Sequence, residues 1–243
     1  MKRLKLAFAF MTILPLHLKE DLSPGDLGRA SVWYPLVGVV IGGLVWLAKY
    51  GLQQIFPLLL TAVLCVAFWV FLSGGLHLDG LADCFDGMLS SSLPERRLEI
   101  MKDPRLGTFG GLGLLLALLI KVAAVYSLAP GRDWIAILLA AALGRWIILL
   151  AGKQPLARPG GMGADFALGL TKASFAWAII LPLALIVLGG WRGVLAAVLA
   201  HLAALGIFQL ARSRLGGVTG DVYGLLVEVT ELVVLLTFVV QIR

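Results

Sequence analysis

The sequence predicts an all-α polytopic membrane helix bundle, about seven transmembrane helices plus an N-terminal interfacial helix, and three observations carry that expectation. Of the 243 residues, 60% are hydrophobic and only 14% charged, against about 25% charged in ordinary soluble domains. The mean hydropathy is +0.98. Apolar stretches near the roughly 20 residues that carry a helix across a bilayer recur along the chain. A lipid-facing open sheet is excluded, because its edge N–H and C=O groups would go unpaired.

Taken in order, Lys2, Arg3 and Lys5 precede an apolar run to Leu16. The layout resembles a signal peptide, but Pro15-Leu16-His17-Leu18-Lys19-Glu20 offers no small-x-small cleavage site. An uncleaved helix in or near the membrane interface is expected there, with an eighth span if it inserts. Spans are expected at 31–50, 56–74, 108–129, 133–152, 174–190, 193–212 and 222–242. Between them, Ser92-Leu93-Pro94-Glu95 has the pattern of a capping box opening a short helix from Glu95 to about Lys102. Gly107, Gly110, Gly111 and Gly113 then allow close backbone approach at the start of the next span.

Lys and Arg set the orientation. With the N-terminus cytoplasmic, that side carries Lys2, Arg3, Lys5, Lys19, Arg29, Arg96, Arg97, Lys102, Arg105, Lys153, Arg158, Lys172, Arg212 and Arg214. The other side keeps Lys49, Arg132, Arg192 and Arg243. Fourteen against four is a clear positive-inside bias, and it places the working face on the cytoplasmic side of a cell (inner) membrane. The long polar connections, 75–107, 153–173 and 213–221, all fall there. The pI near 9.6 thus reports topology, and no nucleic-acid partner is expected. Cys65 and Cys84 are too few for a disulfide framework, and both are expected reduced.

The densest chemistry lies in Gly74-Gly75-Leu76-His77-Leu78-Asp79-Gly80-Leu81-Ala82-Asp83-Cys84-Phe85-Asp86-Gly87. The i, i+4, i+7 spacing of Asp79, Asp83 and Asp86 puts three carboxylates on one helical face. At about 6 Å and an effective dielectric near 20, each like-charged neighbour pair costs roughly 3 kcal/mol. The remaining faces are apolar, so the helix is packed, and a divalent metal is the natural compensation. Asp221 and Glu228, seven apart in Gly216-Gly217-Val218-Thr219-Gly220-Asp221, continuing to Glu231, form a second acidic face. Capping accounts for Asp221 alone; a shared metal or substrate role covers Asp221 and Glu228 together.

Lys102 and Arg105, beside Gly107 and Thr108, are candidates for holding phosphate oxygens, Arg in a bidentate manner; membrane anchoring is the competing reading. Lys121 and Arg145 fall within spans, so each is expected to face the interior, paired with an acid or with substrate. Pro155 to Gly163 has the composition of a mobile loop. His77, two residues before Asp79, is a weaker candidate base, and His77 with Cys84 lacks the further soft ligands a zinc site needs. Acids from two helices with nearby cations suit metal-assisted phosphoryl chemistry.

These strings carry a resemblance. Asp83-Cys84-Phe85-Asp86-Gly87 matches the opening of the CDP-alcohol phosphotransferase signature, but Ser90 and Ser91 stand where Ala-Arg is expected and the later aspartates do not follow. Gly75 to Asp83, then Glu99-Ile100-Met101-Lys102-Asp103 with Arg105-Leu106-Gly107-Thr108, then Gly217-Val218-Thr219-Gly220-Asp221, resemble the cobalamin synthases (adenosylcobinamide-GDP ribazoletransferases), as does Tyr34-Pro35-Leu36-Val37-Gly38. The resemblance covers essentially the whole chain as a single integral-membrane catalytic domain, 1–243. It implies Mg²⁺-dependent joining of α-ribazole, or its 5′-phosphate, to adenosylcobinamide-GDP with release of GMP. On it, Asp79, Asp83 and Asp86 are catalytic and hold metal, completed by Asp221 and Glu228, while Lys102, Arg105, Thr108 and Gly220 meet substrate. The lipid bilayer is the expected surrounding, and a homo-oligomer is compatible with the sequence. The alternatives are a phosphotransferase acting on a lipid alcohol and, more remotely, an ion-coupled transporter, whose sites belong near the bilayer midplane.

Overall fold

The computed structural model describes residues 1–16 and 22–241, and among them every regular element is helical. In chain order these are α1 (Lys2–Met11), α2 (Asp26–Ala30), a single 3-10 turn (Ser31–Trp33), α3 (Tyr34–Leu52), α4 (Leu58–Ser73), α5 (Leu76–Leu89) and α6 (Pro94–Ile100). Then come α7 (Thr108–Ser127), α8 (Asp133–Ala151), α9 (Gly161–Gly169), α10 (Lys172–Ala178), α11 (Ile180–Leu188), α12 (Gly190–Leu215) and α13 (Gly220–Val239). Lys19 and Arg243 of the charge count, and residues 17–20 of the cleavage-site argument, lie outside the described residues.

The all-α membrane bundle expected from composition is what forms. Five helical stretches are each long and apolar enough to cross a membrane: 26–52, α7, α8, α12 and α13. Two more exist if each of two bent pairs counts as one span, α4 with α5 at 92° and α9 with α10–α11 at 90°. The expected spans 56–74 and 174–190 are the two that do not stand alone. At 16 residues α4 is short, and the chain breaks at Ile179, between α10 and α11. Pro182 explains that break, since it lacks an N–H and its ring crowds the carbonyl four residues back, at Ala178.

Another departure concerns the short helix in the first long loop. It starts at Pro94 and ends at Ile100, and no side chain caps it. Proline forces the preceding residue into extended backbone, so Leu93, at φ −69° and ψ 158°, takes the N-cap position. Ser92 is left one residue outside, and the expected capping box does not form.

Two helices make the hub. α8 and α13 are buried on nearly every face, whereas α7 and α12 turn leucine- and valine-rich sides outward, including Leu112, Leu115, Leu119, Val198 and Leu202. Outward apolar faces of this kind suit lipid rather than water. α3 and α8 cross at backbone contact, where a Cβ on Gly42 would lie 2.9 Å from Leu138 Cα and one on Gly38 would strike the Ala141 carbonyl. At the end of these helices remote from the site, Lys49 Nζ meets Asp133 Oδ2 at 2.7 Å, both largely buried. α1 exists as expected and packs Leu6, Ala7 and Met11 inward.

Candidate active site

The site grows from the bend between α4 and α5. Gly74 and Gly75 both take left-handed φ, 63° and 69°, a conformation open to glycine at no steric cost. They swing the chain through 92° and aim α5 across α13. The two helices then touch backbone to backbone. A Cβ on Gly80 would lie 2.6 Å from the Asp221 carbonyl oxygen, and one on Gly224 would lie 2.9 Å from the His77 carbonyl oxygen. Only glycine permits this crossing, and it delivers the aspartate stripe of α5 to the first turn of α13.

As a result Asp83 lies within electrostatic reach of Asp221, Asp79 and Asp86. Asp79 and Asp221 together border a cleft of about 690 Å³, counted with its open mouth. Its far wall is aromatic. Phe10 stacks on Tyr34 at 6.2 Å, Tyr34 on Phe166 at 5.9 Å, and Phe166 meets Tyr223 edge-on at 5.4 Å. α1, α3, α9 and α13 thus each contribute a ring to a site whose polar side is acidic. A space with one acidic edge and one aromatic wall can hold an organic group on its apolar side and a cation at its carboxylates.

The predicted residues divide into sets. Asp79, Asp83 and Asp221 converge at the crossing. Asp86, on the same stripe, is spoken for by backbone: Gly107 N–H donates to Oδ2 and Gly110 N–H to Oδ1, each at 2.8 Å. Gly107 is the N-cap of α7 and has no side chain of its own to cap with, so a carboxylate from α5 satisfies the orphan donors of another helix. Thr108 opens α7 and is exposed. Gly220 lines the cleft as the first residue of α13, with open space where a Cβ would be. Asp221 is not the cap of α13, because Thr219 Oγ1 accepts from Val222 N–H at 3.4 Å and donates to Asp221 Oδ2 at 3.1 Å.

Lys102 and Arg105 sit in the exposed turn before α7. Arg105 is turned on its neighbour, with Nε to Asp103 Oδ1 at 2.9 Å and Nη2 to Oδ2 at 2.6 Å. Those bonds hold the Asp103 carboxyl down to about 2.

Glu228 is elsewhere. Two turns deeper than Asp221, its Oε2 accepts from Lys121 Nζ at 2.6 Å, and Lys121 also donates to Glu231 Oε2 at 2.6 Å. Arg145 Nη1 bonds the other oxygen of Glu231, and Lys121 lies 5.2 Å from the Trp69 ring. All four charged groups are at most 4% exposed. This is a closed two-cation, two-anion network, so the expectation that Glu228 completes a metal shell meets a carboxylate already held by Lys121. Lys121 and Arg145 face the interior, as charges inside spans must.

Sequence reasoning gave no site role to the aromatic wall or to Arg158. The wall draws single residues from four separate helices, and no local spacing announces it. Arg158 Nη2 lies 3.8 Å from Asp221 Oδ2. The Pro155 to Gly163 segment is anchored on one side rather than free, since Ala157 N–H donates to the Val218 carbonyl at 2.9 Å and Val218 N–H to the Pro155 carbonyl at 2.8 Å.

Among the described residues no three His, Cys, Asp or Glu side chains close into a ready metal cage. Asp79, Asp83 and Asp221 supply hard oxygen donors only. A Mg²⁺ ion keeps several waters and takes one or two carboxylates plus substrate phosphates, rather than an all-protein shell. The donor set therefore fits such an ion, and it would not fit zinc.

Known proteins match the chain over nearly its whole length. Residues 3–239 match the family model described as cobalamin-5-phosphate synthase. The chain is 42% identical to the adenosylcobinamide-GDP ribazoletransferase of Pseudomonas savastanoi pv. phaseolicola over 96% of each chain. It is 39% identical to that of Ectopseudomonas mendocina over 96% of each. With the enzyme of the same name from Desulfitobacterium hafniense the identity is 38%, over 97% of this chain and 96% of the other. No solved structure gives a significant match.

Proposed function

The chain belongs to the cobalamin-5-phosphate synthase family, and from that premise we propose that it is a membrane-embedded adenosylcobinamide-GDP ribazoletransferase. It joins α-ribazole, or its 5′-phosphate, to adenosylcobinamide-GDP and releases GMP. The hydroxyl oxygen of the acceptor forms a new bond to the phosphorus attached to the cobinamide. The bond from that phosphorus to the bridging oxygen breaks, and GMP departs with the electron pair. The observation that carries this reading is the crossing of α5 and α13, which sets Asp79 and Asp221 on the border of an aromatic-walled cleft with Asp83 within electrostatic reach.

Phosphoryl transfer asks a protein mainly for positioning and charge compensation. Asp79, Asp83 and Asp221 would hold Mg²⁺, while Asp86 caps α7. The ion, when bound, neutralises the diphosphate and the charge growing on the leaving GMP. Asp79 and Asp221 border the cleft, so they orient the reacting phosphate against the acceptor. Lys102, Arg105 and Thr108 lie in the turn beside Asp86 and are placed for the nucleotide's phosphate oxygens, Arg105 after exchanging Asp103 for phosphate. Gly220 leaves room at the helix start, where N–H groups favour an anion. The buried aromatic wall of Tyr34, Phe166 and Tyr223 backs the cleft on its apolar side. We further propose an inner-membrane location with this face toward the cytoplasm, which agrees with the placement of Lys and Arg. Neither the lipid-alcohol phosphotransferase nor the transporter gains from the family match.

The test is direct. Purified protein in detergent or nanodiscs is given adenosylcobinamide-GDP, α-ribazole and Mg²⁺, and GMP is followed by chromatography. Stoichiometric GMP and joined corrinoid are expected. Their absence, with the protein folded, removes the proposal.

A further inference from the structure

The carboxylates at the α5–α13 crossing leave an imbalance. Asp83 lies within electrostatic reach of Asp79 and Asp221, and Asp221 within reach of Asp79, yet Lys121 and Arg145 are committed to Glu228 and Glu231. Arg105 is turned on Asp103 in the exposed turn. The cation that reaches the crossing is Arg158, whose Nη2 stands 3.8 Å from Asp221 Oδ2. That distance is an ion pair, too long for a hydrogen bond. The other terminal nitrogen, Nη1, is buried without a hydrogen-bond partner among the described residues. Arginine carries five donors in a rigid fork suited to two oxygens at once, and here the fork is poorly used.

The backbone beneath it is built. The reciprocal bonds between Ala157 and Val218 and between Val218 and Pro155 tie the segment just before Arg158 to the segment just before Asp221. The contact is tight, because a Cβ on Gly217 would lie 2.5 Å from the Pro155 carbonyl oxygen and 2.6 Å from Ala157 N. On the other side, Gly160 and Gly161 take φ of 82° and 78° and lead into α9, which contributes Phe166 to the cleft. Arg158 is thus held beside Asp221, the acid that borders the cleft at the start of α13.

We propose that Arg158 binds the diphosphate of the donor nucleotide, exchanging its loose contact with Asp221 for two phosphate oxygens. The inference rests on the proposed transferase reading. It follows from charge: once a divalent ion is shared by the aspartates, Asp221 no longer needs Arg158, and the guanidinium is free for the anion the ion brings with it. The fork then holds the diphosphate beside Asp221, at the edge of the cleft. Charge-assisted bonds of this kind also strengthen as negative charge moves onto the departing phosphate.

The test separates binding from turnover. Purified wild type, Arg158→Ala and Arg158→Lys are titrated with adenosylcobinamide-GDP and Mg²⁺ in the absence of α-ribazole, by equilibrium dialysis with corrin absorbance as readout, alongside thermal midpoints. Arg158→Ala is expected to weaken binding roughly ten- to a hundredfold with an unchanged midpoint, and Arg158→Lys to recover part of it. Donor affinity within twofold of wild type in Arg158→Ala, or a loss of binding that only tracks loss of folded protein, overturns the proposal. Wild-type protein that binds the donor but releases no GMP when α-ribazole is added refutes the transferase reading instead, and leaves the Arg158 result standing on its own.

Discussion

Replacing Gly80 by alanine should damage activity far more than stability. A Cβ at that position lies 2.6 Å from the Asp221 carbonyl oxygen and 3.1 Å from Asp221 Cα. An ordinary carbon–oxygen contact needs about 3.4 Å, so the two helices must separate locally by about 0.8 Å. Both atoms struck are backbone, which cannot rotate away as a side chain can. Overpacking of this kind costs about 1–3 kcal/mol, and a membrane bundle with this much buried helix–helix contact should tolerate that and stay folded. The displacement, however, falls on the one contact that sets Asp79 and Asp83 against Asp221, and a misplacement near 1 Å costs on the order of 10²-fold in rate. The assay is GMP release by purified protein, with kcat and KM for the donor measured beside the thermal midpoint. Gly43→Ala is the control, because a Cβ there meets nothing within 4 Å. If Gly80→Ala keeps kcat/KM within threefold of Gly43→Ala, the crossing does not position the reacting groups and the argument fails.

Other outcomes follow from the same geometry. Asp79→Asn should lower Mg²⁺-dependent GMP release roughly 10²-fold with little change in melting midpoint; full activity would remove Asp79 from the metal site. Chelation with EDTA should abolish GMP release, and added Mg²⁺ should restore it, as read by the same chromatographic assay; turnover that persists after exhaustive chelation contradicts a metal-held diphosphate. Lys121→Met leaves Glu228 and Glu231 facing each other with Arg145 alone, and should destabilise the protein by about 3–5 kcal/mol. Adding Glu228→Gln should recover much of that loss in a thermal or denaturant unfolding assay; a double variant no better than the single would show that the network's balance of charge does not matter.

The bundle was legible because hydropathy acts locally: a run of about 20 apolar residues has few options in lipid other than a helix. The bend at Gly74–Gly75 was not, since nothing in an apolar run followed by two glycines states that the next helix leaves at 92°. The break at Ile179 was readable in principle from Pro182, but composition alone carried the reading across it. In the site, the Asp79–Asp83–Asp86 face was visible as a periodicity of one helix. Which acid on α13 joins it was not, because Asp221 and Glu228 lie on the same face and differ only in depth. The discriminating fact is the position of Lys121 on α7, a residue 107 positions away from Glu228. The backbone capping of α7 by Asp86 was equally hidden, since it depends on two helices meeting end to side.

That difference in depth explains how one helix carries two kinds of acid. Deep in the bundle, Glu228 and Glu231 are matched by Lys121 and Arg145, and the group closes on itself with no net charge. A buried carboxylate without such a match would be costly, so the inner cations are fixed there by the need to fold. At the start of α13 the opposite holds. Asp221 lies within electrostatic reach of Asp79 and Asp83, and among the described residues its one ion-pair partner is Arg158, at 3.8 Å. Had Lys121 lain two turns nearer the start of α13, it would have neutralised the aspartates. The arrangement keeps the strong cations inside, where stability requires them, and leaves the outer carboxylates under-compensated at the cleft. A divalent ion held there, as proposed, would supply the positive charge that both the aspartates and a diphosphate need.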